Sequence, residues 1–309
     1  MNVIQINGLT KAYGGTRAVD GLNMRVGQGD IYGFVGKNGA GKSTTMKMIA
    51  GLVTPTSGSI KLFDEQRTDG GFSSAFSRIG TLIEQPGLLP NFSAFENLMM
   101  KALSIGVVRP REQCTELLTL VGLEDAGARK TKKFSLGMKQ RLGIAQAVLN
   151  EPEVLVLDEP TAGLDPKERV RFRNLIASFA KDKIVLLSTH IVSDVEYIAD
   201  RIVMMRAGQV VLTGAPDQIV GAVSGKVWEA RVGAAEADRL AERLTVGNVH
   251  YLEGGEALVR IVCDERPVEG ARPVEPTLED LYLYTFAEEA TQDADARRAA
   301  RHARGGHHA

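Results

Sequence analysis

The stretch Gly36-Lys37-Asn38-Gly39-Ala40-Gly41-Lys42-Ser43-Thr44 decides the fold. Before it stands Ile31–Val35 (IYGFV), an apolar run of strand length. After it, Met46, Ile49 and Ala50 share one face of a helix. A glycine-rich turn between strand and helix lets successive backbone N–H groups converge, and the helix N-terminus adds its partial positive charge. In the pattern G-x-x-x-x-G-K-[ST] the guest is a nucleoside polyphosphate. Lys42 reaches the β- and γ-phosphates, and the Ser43 hydroxyl is offered to Mg2+.

A second cluster lies 115 residues downstream, counting from Ser43 to Asp158. Val154-Leu155-Val156-Leu157 is a continuous apolar run, as expected of a strand buried on both faces. It ends in Asp158-Glu159, two carboxylates that would be costly there without a cation. Asp158 is placed to hold Mg2+. Glu159, next along, is placed to orient or deprotonate a water.

Strand signals recur at 3–6, 21–31, 184–188 and 201–205. Residues 85–150 carry helix-period patterns instead and read as a mostly helical insertion. Strands alternating with helices predict an α/β, P-loop NTPase fold with a largely parallel sheet. The character changes near Gly214. Residues 227–232 and 257–262 alternate, Ala237, Leu240, Ala241 and Leu244 keep helical spacing, and Thr277 with Asp280 forms a capping box at the head of 277–285. The expected organisation is an ATPase domain over 1–214, a small α+β accessory domain over 215–286, and a disordered or loosely helical tail over 287–309. The tail is read from its acidic then arginine-rich composition.

Composition removes several classes. With 37 Lys+Arg against 38 Asp+Glu in 309 residues the net charge is −1, which argues against a nucleic-acid-gripping stripe. The two cysteines, Cys114 and Cys263, have no partner at ligand spacing, so neither a disulfide framework nor a zinc site is expected. No run of 18 apolar residues occurs and the N-terminus lacks a leader pattern, so the chain is expected to stay cytoplasmic.

Phe134-Ser135-Leu136-Gly137-Met138-Lys139-Gln140-Arg141, just ahead of the second cluster, narrows the reading. It resembles the signature of ATP-binding cassette (ABC) transporter subunits, usually Leu-Ser-Gly-Gly-Gln. Leu136 stands at the first glycine and Met138 at the glutamine. The resemblance covers roughly residues 1–215 and implies further roles. Tyr13 would stack on adenine, Asp165 in Gly163-Leu164-Asp165 would lie in the dimer-contact loop, and His190 would touch the γ-phosphate. Ser135, Leu136, Gly137 and Met138 would complete the ATP site of a second cassette. The family's glutamine-loop position falls on Glu84, with Gln85 one residue late, so either side chain is a candidate for the metal or water. Leu82-Ile83-Glu84 and Ser-Leu-Gly-Met-Lys-Gln resemble the bacitracin-resistance and lantibiotic-immunity branch of exporters.

The resemblance implies an ATP hydrolase with ATP and Mg2+ as ligands. A polytopic membrane permease and a second ATP-binding subunit would be its partners, with the chain peripheral on the inner face of the membrane. A peptide antibiotic or similar drug is the cargo class of that branch. An importer ATPase and a sensory or self-protection complex remain alternatives. A DNA-maintenance ABC ATPase does not fit, because Ser135 follows Lys42 by only 93 residues (135 − 42) with no heptad array. A ribosome-acting factor with two cassettes does not fit a single P-loop.

Overall fold

The structure is a computed structural model. It describes residues 2–287 except 28, 64, 67–74 and 181. The chain divides into two compact units, Met1–Ala215 and Pro216–Ala309. The tail expected over 287–309 lies, apart from Ala287, outside the described residues.

The first unit holds strands β1 (Asn2–Tyr13), β2 (Thr16–Gly27), β3 (Ile31–Val35), β4 (Ser57–Leu62), β5 (Glu65–Gln66), β6 (Ile79–Leu82), β7 (Val154–Asp158), β8 (Ile184–Thr189), β9 (Arg201–Arg206) and β10 (Gln209–Gly214). Its helices are α1 (Lys42–Ile49), α2 (Ala94–Ser104), α3 (Pro110–Leu120), α4 (Leu136–Ala147), α5 (Pro166–Phe179) and α6 (Val192–Glu196). A six-stranded sheet runs in the order β10-β9-β3-β8-β7-β6 and is parallel except for β10. A four-stranded antiparallel sheet, β2-β1-β4-β5, accompanies it. Ile4, Ile6 and Leu22 of that second sheet share one core with Phe34, Val156 and Leu186 of the first and with Met46 and Ile49 of α1.

Every residue of β3, β7 and β8 is buried, which is why these strands read as unbroken apolar runs. The span 21–31 is not one strand: β2 ends at Gly27, and Ile31 begins β3 in the other sheet. Strands β4, β6 and β10 escape the sequence reading because they are short or half exposed. The insertion is helical as expected, through α2, α3 and α4. A capping box of Ser93 and Glu96 starts α2, and Ser93 accepts from the Glu96 N–H.

The second unit contains β11 (Val227–Gly233), β12 (Thr245–Tyr251), β13 (Glu256–Val262) and β14 (Arg272–Pro273), with helices α7 (Pro216–Val220), α8 (Ala234–Arg243) and α9 (Leu278–Thr285). The sheet order is β12-β13-β11-β14, antiparallel throughout. Ala237 and Leu240 of α8 pack on Ala257, Val259 and Ile261 of β13. Leu244 is not helical: it caps α8 in extended conformation and leads into β12. The capping box of Thr277 and Asp280 is present.

Asp280 is 2% exposed and receives the Arg260 guanidinium at 2.9 and 2.6 Å. Burial pushes its carboxyl up, but Arg260, the Thr277 hydroxyl and the Thr277 N–H outweigh that and hold it below the usual aspartate value of 3.8. A depressed carboxyl stabilises the fold above its unfolded pKa, and that stability is lost as pH falls through the folded value. The chain's single tryptophan, Trp228, lies in the same unit and donates to the Cys263 carbonyl, so its fluorescence reports this unit. Urea unfolding followed at Trp228 is expected to show Asp280→Asn destabilised by roughly 1–3 kcal/mol at pH 7. The gap between variant and wild type is expected to close as pH falls below about 3.8.

Candidate functional site

The parallel register levels three strand ends. Val35 of β3 pairs with Thr189 of β8, and Asp158 of β7 pairs with Ser188 of β8. The glycine loop, the two carboxylates and His190 therefore leave the sheet at one edge, outside the carboxyl ends of the strands, where open α/β sheets take ligands.

The loop 36–43 is held from behind by backbone. A Cβ on Gly36 would stand 2.4 Å from the Met205 carbonyl oxygen, so no larger residue fits. Gly41 caps α1 at φ 101°, a left-handed conformation, and a Cβ there would meet the Ala18 carbonyl at 2.5 Å. Asn38 and Gly39 are exposed at the tip, Lys37 and Thr44 are half-buried, and Ala40 is buried and accepts from the Gly208 N–H.

Lys42 is 4% exposed. Its ammonium donates to the carbonyls of Gly36 at 2.7 Å and Lys37 at 3.1 Å, and lies 3.5 Å from Glu159 Oε1. Burial pushes it below the ordinary lysine value, against the pull of Glu159 and Asp158. Ser43 Oγ donates to Asp158 Oδ1 at 2.9 Å. Glu159 follows at φ 47°, uncommon for a side-chain-bearing residue, and its Oε2 sits 2.7 Å from His190 Nδ1. Lys42, Ser43, Asp158, Glu159 and His190 thus form one connected cluster.

Ser188 was not singled out from the sequence, yet it is central. Fully buried, its hydroxyl donates to Asp158 Oδ1 and accepts from the Glu159 N–H at 3.0 Å, while its carbonyl accepts from the same N–H at 3.1 Å. A polar residue in the buried run of β8 was the available signal; the register supplied its meaning. Thr161 and Asp194, both buried, tie the segments after Glu159 and His190 together at 2.5 Å.

The other candidates stand apart from this cluster among the described residues. Tyr13 is half exposed at the end of β1, before a Gly14-Gly15 turn, with Lys11 Nζ 4.9 Å from its ring centre. Ser135 is the N-cap of α4 and accepts from the Met138 N–H at 3.2 Å; Leu136 is 41% exposed, Gly137 buried and Met138 half-buried. Asp165 caps α5 by accepting from the Glu168 N–H at 2.9 Å. Leu149, two residues beyond the end of α4, is buried. Glu84 and Gln85 are both exposed, and Glu84 pairs with Lys47 of α1 at 2.5 Å.

For Mg2+ the donor set is suitable: a serine hydroxyl and one buried carboxylate are hard oxygen ligands, and Mg2+ on a nucleotide takes one or two carboxylates plus phosphates. No cluster of three or more His, Cys, Asp or Glu residues able to hold a metal occurs among the described residues.

The ABC transporter family model matches residues 19–162. The bacitracin transport ATP-binding protein BcrA of Bacillus licheniformis is 46% identical over 209 residues, covering 67% of this chain and 68% of that protein. The chain belongs to the ATP-binding proteins of ABC transporters. The lantibiotic transport ATP-binding protein SrtF of Streptococcus pyogenes is 41% identical over 211 residues, 68% of this chain and 90% of that protein. Among solved structures, cbiO1 of Clostridium perfringens, part of the ABC transporter complex cbiONQ, superposes with a TM-score of 0.65 at 28% identity. That match covers 71% of this chain and 90% of the other. The cassette thus has the α/β P-loop fold of its relatives, and its likeness to the bacitracin and lantibiotic branch extends beyond the quoted motifs. No helix among the described residues is long and apolar enough to cross a membrane.

Within this cassette the Ser188 hydroxyl carries a measurable load. Ser188→Ala leaves Asp158 one donor short and is expected to cost roughly 1–3 kcal/mol in chemical denaturation followed by circular dichroism. Unchanged stability would show that Asp158 is held without it.

Proposed function

We propose that this cassette binds and hydrolyses ATP with Mg2+ and thereby drives an exporter whose membrane part is a separate permease. The observation that carries the reading is the Ser43–Asp158 hydrogen bond, which unites the phosphate loop with the carboxylate strand across 115 positions. ATP would lie along loop residues 36–44 with Lys42 against the outer phosphates. The desolvated lysine supports this, because a phosphate offers the buried ammonium charge-assisted hydrogen bonds in place of the water it has lost. Ser43 and Asp158 would hold Mg2+, which supplies charge neutralisation on the phosphates when bound.

Phosphoryl transfer to water asks mainly for positioning and charge. Glu159 would orient the attacking water and accept its proton. Its carboxylate is already fixed between Lys42 and His190, and its backbone is fixed by Ser188. His190 would face the γ-phosphate. Tyr13 would stack on the adenine, a role compatible with its half-exposed ring.

Ser135 and the α4 N-terminus form an exposed anion-accepting end. In our reading they complete the ATP site of a second cassette, with Leu136, Gly137, Met138 and Asp165 at the contact, in a homodimer. A groove of about 400 Å³, lined in part by Leu52, Phe76, Gln85, Lys101 and Ile105, is the surface we assign to the permease. Leu52 is 65% exposed there. Such docking would keep the protein at the inner face of the membrane. We take residues 1–214 as the ATPase domain and 215–286 as an accessory domain, and the likeness to bacitracin and lantibiotic transport ATP-binding proteins supports a peptide antibiotic or similar drug as the cargo class.

Two substitutions test the chemistry separately from binding. Lys42→Ala is expected to weaken ATP binding about 10- to 100-fold in a nucleotide titration, since a charge-assisted hydrogen bond is lost. Glu159→Gln keeps the shape and removes the base. It should bind ATP normally, turn over at least about 10²-fold more slowly, and collect as an ATP-bound dimer on a sizing column. Normal turnover in Glu159→Gln would overturn its assigned role.

A further inference from the structure

Ser43 and Lys47 are four residues apart on α1 and so share a face. Ser43 meets Asp158, and one turn further along the same face Lys47 Nζ meets Glu84 Oε1 at 2.5 Å. Lys47 therefore stands one helical turn from Ser43 on α1 and holds the unusual carboxylate of the loop. The hydrogen bond to Glu84 pushes the lysine above its ordinary value, with Asp158 adding to that at longer range. The same hydrogen bond holds Glu84 below the usual carboxylate range. Glu84 adopts φ 62°, a left-handed conformation that a non-glycine residue keeps only where its surroundings impose it.

We propose that Lys47 is an internal counter-cation that keeps Glu84 on α1 in the metal-free cassette and yields it when the Mg2+-nucleotide binds, so that lysine and metal compete for one carboxylate. The inference rests on the assignment of Ser43 and Asp158 to Mg2+. Glu84 is 68% exposed and Lys47 29%, so the pair is screened by water and cheap to open. Cheapness suits a contact that must exchange one cation for another. A buried pair at this position would resist the metal.

The test is equilibrium binding of a fluorescent, non-hydrolysable ATP analogue to the full chain, titrated with Mg2+. Lys47→Met removes the charge and keeps the apolar stem, and it should lower the half-saturating Mg2+ concentration about two- to fivefold, the range a solvent-exposed pair supplies. In a Glu84→Gln background the same substitution should produce no shift, because no carboxylate remains to be released. Lys47→Arg should behave as wild type. An equal shift in both backgrounds would mean that Lys47 acts on the metal through its charge alone and would overturn the proposal, as would no shift in either. Undiminished analogue affinity in Lys42→Ala would instead overturn the site assignment itself, and this inference with it.

Discussion

Asp158 is a carboxylate 3% exposed at the end of a fully buried strand, and a buried polar group of that kind is tolerated only when donors reach it. Both donors come from elsewhere in the chain. Ser43 arrives on the first turn of α1 and Ser188 on the neighbouring strand β8. Satisfying one oxygen therefore fixes the glycine loop to β7 and fixes β7 to β8. The same Ser188 hydroxyl accepts from the Glu159 N–H, so Asp158 and the residue after it are located by one side chain. The remainder of the cluster hangs from this arrangement, because the Glu159 carboxylate in turn meets Lys42 and His190.

The sequence reveals the parts of this site that are local and leaves hidden the parts that depend on strand pairing. The loop 36–44 is legible because its glycines and lysine fall at fixed spacing beside a strand. Strands β3, β7 and β8 are legible because burial on both faces leaves them uniformly apolar. Strands β1 and β2 are harder to bound. Their pairing is interrupted by register shifts, and glycines at positive φ, Gly8 and Gly21, break the alternation that a sequence reading relies on. Strand β6 spans four residues and ends in the loop whose register was ambiguous. Ser188 and Lys47 are not legible in the sequence for a common reason: nothing in their neighbours along the chain distinguishes them, and their partners lie 30 and 37 residues away.

The two units show the same principle at different strengths. In the second unit the capping box of Thr277 and Asp280 is visible in four residues, and it forms as read. Its tie to Arg260, 20 residues back on β13, is not visible, although that guanidinium is what makes a buried Asp280 tolerable. Strand β12 follows α8 with no loop between them, since Leu244 turns the chain directly from helix to extended conformation. A helical spacing that extends one residue past the helix is what a sequence reading then reports.

The carboxylate at position 84 changes the electrostatics of the loop in a way an amide would not. A glutamine is neutral with or without a metal. A glutamate adds a negative charge near a site built to receive a triphosphate, and such a charge repels the nucleotide unless a cation stands between them. Two cations are available in this arrangement, one permanent and one that arrives with the substrate. Lys47 is the permanent one, fixed on the same helix face as Ser43. Because α1 also carries Lys42 and begins at the phosphate loop, one eight-residue helix positions the phosphate-facing lysine, the metal-facing serine and the partner of Glu84. Any shift of α1 against β7 on nucleotide binding would move all three together. In the nucleotide-free cassette the loop that leads from β6 into the helical insertion is thereby tied to α1 through Lys47, and on our proposal the arriving Mg2+ takes Glu84 from that tie, so the coupling requires no contact between Glu84 and the phosphates.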